Sequence, residues 1–131
     1  MEKVFVYGTL RRGESNHSLL APATCLAMTA RMKGCLIDTG DGYPGLLEED
    51  GEVIGELYEV SDAELGKLDE LEDYFGPDDP GNLYNRVEVD VCTDRGSVKA
   101  WTYFYNRNCE GRHLLRFSDW KAYRMGKTGG A

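Results

Sequence analysis

Ser61-Asp62-Ala63-Glu64-Leu65-Gly66-Lys67-Leu68-Asp69-Glu70-Leu71-Glu72-Asp73-Tyr74-Phe75-Gly76-Pro77 carries the signals of one helix set among strands. Ser61 to Glu64 is a capping box: the Ser61 hydroxyl accepts from the Glu64 amide while the Glu64 carboxylate reaches back to the cap amide. Leu65, Leu68, Leu71 and Phe75 follow at spacings of three, three and four, which predicts one buried stripe, and Gly76-Pro77 predicts its end. Before and after this segment the period falls to two. Val4 and Val6 alternate with Phe5 and Tyr7 until Gly8 stops the strand, Thr24 to Ile37 holds one or two strands, and Gly51 to Val60 holds another. In that last run Val53 and Leu57 share one face, and Ile54, Tyr58 and Val60 the other. Val87, Val89 and Val91 alternate with Glu88, Asp90 and Cys92; Asp94-Arg95-Gly96 then turns the chain, and Val98 to Tyr105 returns as the second arm of a hairpin. Short strands punctuated by sixteen glycines around one strong helix give an α+β fold.

The 131 residues contain 23 Asp plus Glu against 15 Lys plus Arg, a net charge of -8. One domain follows from the length, read as residues 1–124 with a flexible tail over 125–131. The acid excess argues against a nucleic-acid partner, because nonspecific binding to phosphate backbones needs clustered cations and the only adjacent basic pair is Arg11-Arg12. No run approaches the roughly 20 apolar residues of a membrane span, and Met1-Glu2-Lys3-Val4-Phe5-Val6-Tyr7 lacks the apolar segment of a signal peptide. The expectation is a cytoplasmic chain with no membrane partner. Cys25, Cys35, Cys92 and Cys109 are widely spaced without a CxxC pair, so reduced and mostly buried thiols are expected. With two histidines, His17 and His113, in no ligand spacing, neither a metal site nor a histidine-dependent triad is expected.

One carboxylate stands out. At about 100° per residue, Glu72 lies roughly 45° from the centre of the apolar stripe, whereas Asp69 lies about 105° away, Asp73 about 145° and Glu70 on the far face. An ionised carboxylate buried without a partner costs several kcal/mol, so Glu72 either meets a donor such as Arg86 or a strand amide, or works as a general base with a raised pKa. A second feature is Tyr7-Gly8-Thr9-Leu10-Arg11-Arg12-Gly13, where a strand runs into a turn. It is either an ordinary strand end or a nest of converging amides suited to a carboxylate; its spacing excludes a phosphate loop. Trp101, Tyr103 and Tyr105 share one face of the last strand, mainly as packing with a phenol available to a ligand. Cys109 is the one thiol worth weighing as a nucleophile, and nothing around it supports that role.

Taken in order, Val4-Phe5-Val6-Tyr7-Gly8-Thr9-Leu10-Arg11-Arg12-Gly13, Tyr43-Pro44-Gly45-Leu46, Leu68-Asp69-Glu70-Leu71-Glu72 followed by Tyr84-Asn85-Arg86, and Ala100-Trp101-Thr102-Tyr103 resemble the γ-glutamyl cyclotransferase-like family. The similarity runs from residue 4 to about 124. It implies a compact mixed β-barrel flanked by a few helices, and cofactor-free cyclisation of a small-molecule γ-glutamyl substrate to 5-oxoproline with release of an amine. It also implies that Tyr7, Gly8, Thr9 and Leu10 grip the γ-glutamyl group, that Glu72 is the catalytic acid, and that a strand tyrosine lies near the pocket, with Tyr103 the better match and Tyr105 the alternative. Tyr84 and Arg86 are taken as further substrate contacts. The residues suit the chemistry: the substrate's own α-amine is the nucleophile, proximity replaces an enzyme nucleophile, and the protein need supply only a base. The segment from Asp73 to Leu83 is longer than in short family members, and Asp78-Asp79 within it hints at a cationic leaving group. A noncatalytic binding module and a γ-glutamyl amide hydrolase are the competing readings.

Overall fold

The computed structural model describes residues 1–109 and 114–129, so His113 and the end of the tail lie outside the described residues. Its elements are β1 (Glu2–Val6), a 3-10 turn (His17–Leu20), β2 (Thr24–Asp38), β3 (Pro44–Val60), α1 (Asp62–Leu71), β4 (Tyr84–Thr93), β5 (Gly96–Tyr105), β6 (Arg116–Phe117) and α2 (Trp120–Gly129). The class is α+β, as the alternating patterns predict.

Strand β3 pairs antiparallel with both β1 and β2, β2 meets β4 at Arg31↔Cys92, β4 and β5 form the hairpin, and β5 lies parallel to β1 at Val4↔Trp101. The five strands therefore run round into a ring, with β6 added on the outer edge of β2. Curvature comes from β2, whose register against β3 shifts three times between Cys25 and Cys35, each irregularity bending the strand and increasing its twist. Thr24 to Ile37 is thus one long strand rather than two. The β4–β5 loop is Asp94-Arg95, between the paired Thr93 and Gly96.

Each face of the ring carries a buried cluster, which is why strands such as β1 and β3 hold apolar residues on two sides. Phe5, Met32, Leu36, Leu46, Val53 and Val91 fill one cluster with Trp120 of α2. Val4, Val6, Tyr58 and Val60 pack on the opposite face against Leu65 and Leu68 of α1 and Leu20 of the 3-10 turn.

The capping box is present: the Ser61 hydroxyl accepts from the Glu64 amide at 3.1 Å, and the Glu64 carboxylate accepts from the Ser61 amide at 2.7 Å. The predicted stripe holds for Leu65 and Leu68 but not beyond. Leu71 is 36% and Phe75 65% exposed. The helix stops at Leu71 because the Asp73 amide bonds the Glu70 carbonyl and the Tyr74 amide bonds the Asp69 carbonyl, a Schellman closure with Asp73 at φ 51° in the left-handed position. Glycine usually fills that position, so the pattern gave no warning of it. Asn82, fully buried, then holds the following loop by accepting from the Phe75 amide and donating to the Gly76 carbonyl. Helix α2 starts at a cap that the sequence reading overlooked, Asp119, whose carboxylate accepts from the Ala122 amide. It runs through residues 125–129 of the segment read as a tail. All four cysteines are free, but only Cys35 is buried and Cys92 is exposed. Among the described residues no helix is long and apolar enough to cross a membrane.

Candidate active site

Where β1 leaves the ring, Tyr7, Gly8, Thr9 and Leu10 form one wall of a cavity of about 210 Å³. Glu72 and Asp73 close it from the end of α1, Tyr43 and Pro44 from the start of β3, and Tyr84 and Tyr103 from the hairpin. The volume is below the roughly 300–1,000 Å³ of drug-sized sites, so it suits a group the size of one amino acid.

Glu72 is the C-cap residue of α1. It is half-buried, and among the described residues its carboxylate has no hydrogen-bond or ion-pair partner. Burial, and then the charges of Asp73 and Asp69, push its pKa up to about 7. The alternative in which Arg86 neutralises Glu72 does not occur. Arg86 instead bonds Asp69, Nη1 to Oδ2 at 2.7 Å, with its guanidinium between the rings of Tyr74 and Trp101. Arg86 does not line the Glu72 cavity; it lies behind it, on a separate surface groove with Asp78 and Asp79. Asp78 and Asp79, which hinted at a cationic leaving group, do not line the Glu72 cavity; the acid beside Glu72 in it is Asp73. Asp69, placed by helix phase about 105° from the centre of the apolar stripe, does not line the cavity but braces its wall from behind, taking Arg86 on one oxygen and the Tyr103 hydroxyl on the other, each at 2.7 Å.

The tyrosines are fixed by the protein itself. The Tyr7 hydroxyl donates to the Tyr103 carbonyl at 2.5 Å, and the Tyr84 hydroxyl to the Pro44 carbonyl at 2.6 Å. Burial, followed by neighbouring acids and phenols, raises the pKa of Tyr7, Tyr84 and Tyr103, so all three remain neutral and spend their protons on internal acceptors. Tyr103 faces the cavity, whereas Tyr105 does not line it and packs on Tyr84.

The donors left over are in the Tyr7–Leu10 wall. The Gly8 carbonyl is taken by the Arg11 amide at 3.0 Å, the Thr9 carbonyl by the Asn16 amide at 2.8 Å, and the Leu10 carbonyl by His17 Nδ1 at 2.9 Å. A trans peptide points its N–H opposite its carbonyl, so fixing the Gly8 and Thr9 carbonyls fixes the Thr9 and Leu10 N–H groups. Among the described residues neither of those N–H groups has an acceptor. Gly8 is required for closeness, since a Cβ there would sit 2.7 Å from Pro44 Cγ. The Tyr43-Pro44-Gly45-Leu46 motif gains its meaning here: Pro44 abuts Gly8, its carbonyl anchors Tyr84, and Gly45 lets the Tyr105 ring lie against the backbone. Tyr43, Pro44, Asp73 and Leu83 were not picked out as wall residues, and their meeting depends on ring closure that no local pattern encodes.

A fully buried acid also escaped the sequence reading. Glu56 is 1% exposed and accepts from the Arg12 amide and the Tyr58 hydroxyl on one oxygen, with Arg11 at 3.2 Å on the other. Its signal was present, because in β3 it shares the period-two face of Tyr58 and Val60.

Comparison with known proteins bears on the family and the fold. Residues 4–122 match the family described as gamma-glutamyl cyclotransferase, AIG2-like. The gamma-L-glutamyl-butirosin B gamma-glutamyl cyclotransferase of Niallia circulans is 51% identical over 130 residues, covering 99% of this chain and 82% of that protein. Among solved structures, YkqA from Bacillus subtilis superposes with a TM-score of 0.77 at 34% identity, over 98% of this chain but only 42% of YkqA. An AIG2-like protein from Mus musculus gives 0.74 at 28% identity, over 92% of this chain and 88% of that one.

Proposed function

The chain belongs to the gamma-glutamyl cyclotransferase, AIG2-like family and is an enzyme of that class, and from that premise we propose that Glu72 is its general base and then its general acid. The observation that carries the reading is an unpartnered carboxylate, raised to about 7, in the same small cavity as an amide-bearing loop. An ordinary α-amino group titrates near about 8, so a base at about 7 is matched to it within roughly one unit.

In the proposed reaction the Thr9 and Leu10 amides, beside Tyr7 and Gly8, hold the γ-glutamyl group and set its α-nitrogen against its own γ-carbonyl. Glu72 takes a proton from the α-ammonium, the freed lone pair attacks the γ-carbon, and an oxyanion develops. Glu72 then returns its proton to the leaving nitrogen as that C–N bond breaks. A second proton passes from the ring nitrogen to the leaving amine by the same carboxylate, so the products are 5-oxoproline and an ammonium. The ring closes because both reacting atoms belong to one molecule, which removes most of the entropic barrier. Tyr84 and Tyr103 shape the pocket, and Arg86 supports Tyr103 through Asp69 rather than touching substrate.

The substrate is a small γ-glutamyl compound. A cavity sized for one glutamyl group leaves the amine side outside it, so several leaving groups are accommodated, and γ-L-glutamyl-butirosin B belongs in the first panel because a relative is named for it. Four free thiols support a reducing, cytoplasmic setting.

Turnover of γ-glutamyl amines in water enriched in oxygen-18 tests cyclisation. The expected product is 5-oxoproline with no label taken up during turnover, and an α-N-acetylated substrate is inert. Labelled glutamate as the first product would instead establish hydrolysis.

A further inference from the structure

Loop 8–14 is gripped from outside the cavity by a network with no part in the reaction just described. Glu56, buried in β3, is its hub: Oε1 accepts from the Arg12 amide at 2.9 Å and the Tyr58 hydroxyl at 2.8 Å, and Oε2 accepts from Arg11 Nε at 3.2 Å. Helix α2 supplies the other side. Asp119 Oδ1 takes Arg11 Nη1 at 2.9 Å, Lys121 donates to the Arg12 carbonyl and stands 3.8 Å from Glu56, and Arg124 pairs with Glu14 at 2.6 Å.

The placement of these bonds matters more than their number. Arg11 and Arg12 directly follow the two peptide units that carry the unpartnered Thr9 and Leu10 N–H groups, and the Arg11 amide itself holds the Gly8 carbonyl. A shift of Arg11 or Arg12 therefore rotates the plane that aims the Thr9 amide. A buried carboxylate costs several kcal/mol unless its lone pairs are filled, and here they are filled mainly by this loop, so loop displacement would strand the charge. The loop thus has one low-energy position, fixed by charge rather than by apolar packing alone.

We propose that Glu56, backed by Asp119 at the cap of α2 and by Lys121 within it, is a positioning residue that sets the amides of loop 8–10 for the γ-glutamyl group. This rests on the reading of that loop as the substrate grip. The side chain touches no reacting atom, so its influence is on binding and not on proton transfer.

The test compares wild type with Glu56→Gln, which keeps shape and removes the charge, and with Lys121→Met and Asp119→Asn, which loosen the grip from α2 if Glu56→Gln does not fold. Steady-state kinetics on a γ-glutamyl amine, 5-oxoproline affinity by calorimetry, and backbone amide exchange by NMR are read on each. The expected result is KM and the 5-oxoproline Kd raised about ten-fold, the loss of one charge-assisted bond's worth, with kcat within about three-fold. Exchange at Arg11, Arg12 and Asn16 quickens relative to Val4 of β1, and the α2 variants move in the same direction by less. Lower thermal stability with unchanged KM, Kd and relative loop exchange overturns the proposal and leaves Glu56 structural. A wild type that makes no 5-oxoproline refutes the proposed reaction instead, and the exchange data still decide the positioning claim.

Discussion

At the scale of single residues, two acids on apolar faces meet opposite fates, and their partners decide which. Glu56 is enclosed by donors from Arg11, Arg12 and Tyr58, whereas Glu72, one residue past the last turn of α1, has none among the described residues and has its pKa pushed to about 7. Helix phase made Glu72 visible because one acid stood on a leucine stripe. The same logic in β3 marks Glu56, which lies between Ile54 and Tyr58 on a buried face, but the pattern says nothing of the arginine that pairs with it. Asp73 has a special place, since its left-handed backbone closes α1 while its charge is the largest electrostatic contribution to raising Glu72. Asp73→Asn retains tolerance of that conformation and removes the charge. The proposed mechanism needs the base form of Glu72, so activity is expected to fall as pH drops through its pKa, and lowering that pKa is expected to move the acidic limb of the pH–rate profile to lower pH. A limb that stays in place in Asp73→Asn would show that another group governs it.

At the scale of elements, α1 is the part most legible in the sequence and also the part whose end was misjudged. The capping box and Leu65–Leu68 are local features, and they appear as read. The helix end depends on Asp73 entering a left-handed conformation that suits glycine, and on Asn82 holding the loop from nine residues away, so neither Leu71 nor Phe75 is buried. Strands β4 and β5 were legible because a two-residue loop fixes their register. The bulges of β2 and the parallel β1–β5 pairing were not, since both arise only when the ring closes. Because α1 carries Glu72 at its C-terminal end, loosening its N-terminus is a test of stability without touching the chemistry. Ser61→Ala is expected to cost about 1 kcal/mol in denaturant unfolding, with kcat of the folded enzyme unchanged. A loss of kcat without a loss of stability would mean that the cap, rather than the Schellman closure, orients Glu72.

At the scale of the whole molecule, the ring brings one end of β1, the start of β3, the end of α1 and the hairpin to a single small cavity. Amides line one wall, neutral tyrosines another, and one carboxylate of raised pKa stands with them. In the proposed mechanism the surplus of acids over bases in the chain has little bearing on the chemistry, which rests on the position of Glu72. The most direct test of that claim is the rate of 5-oxoproline formation by purified Glu72→Gln, with 5-oxoproline affinity measured on the same sample. The expected loss in kcat is on the order of 100-fold or more, at an affinity within a few-fold of wild type, because the glutamine keeps the cavity's shape but cannot take the proton. Formation of 5-oxoproline at the wild-type rate would contradict the assignment of Glu72 as the base.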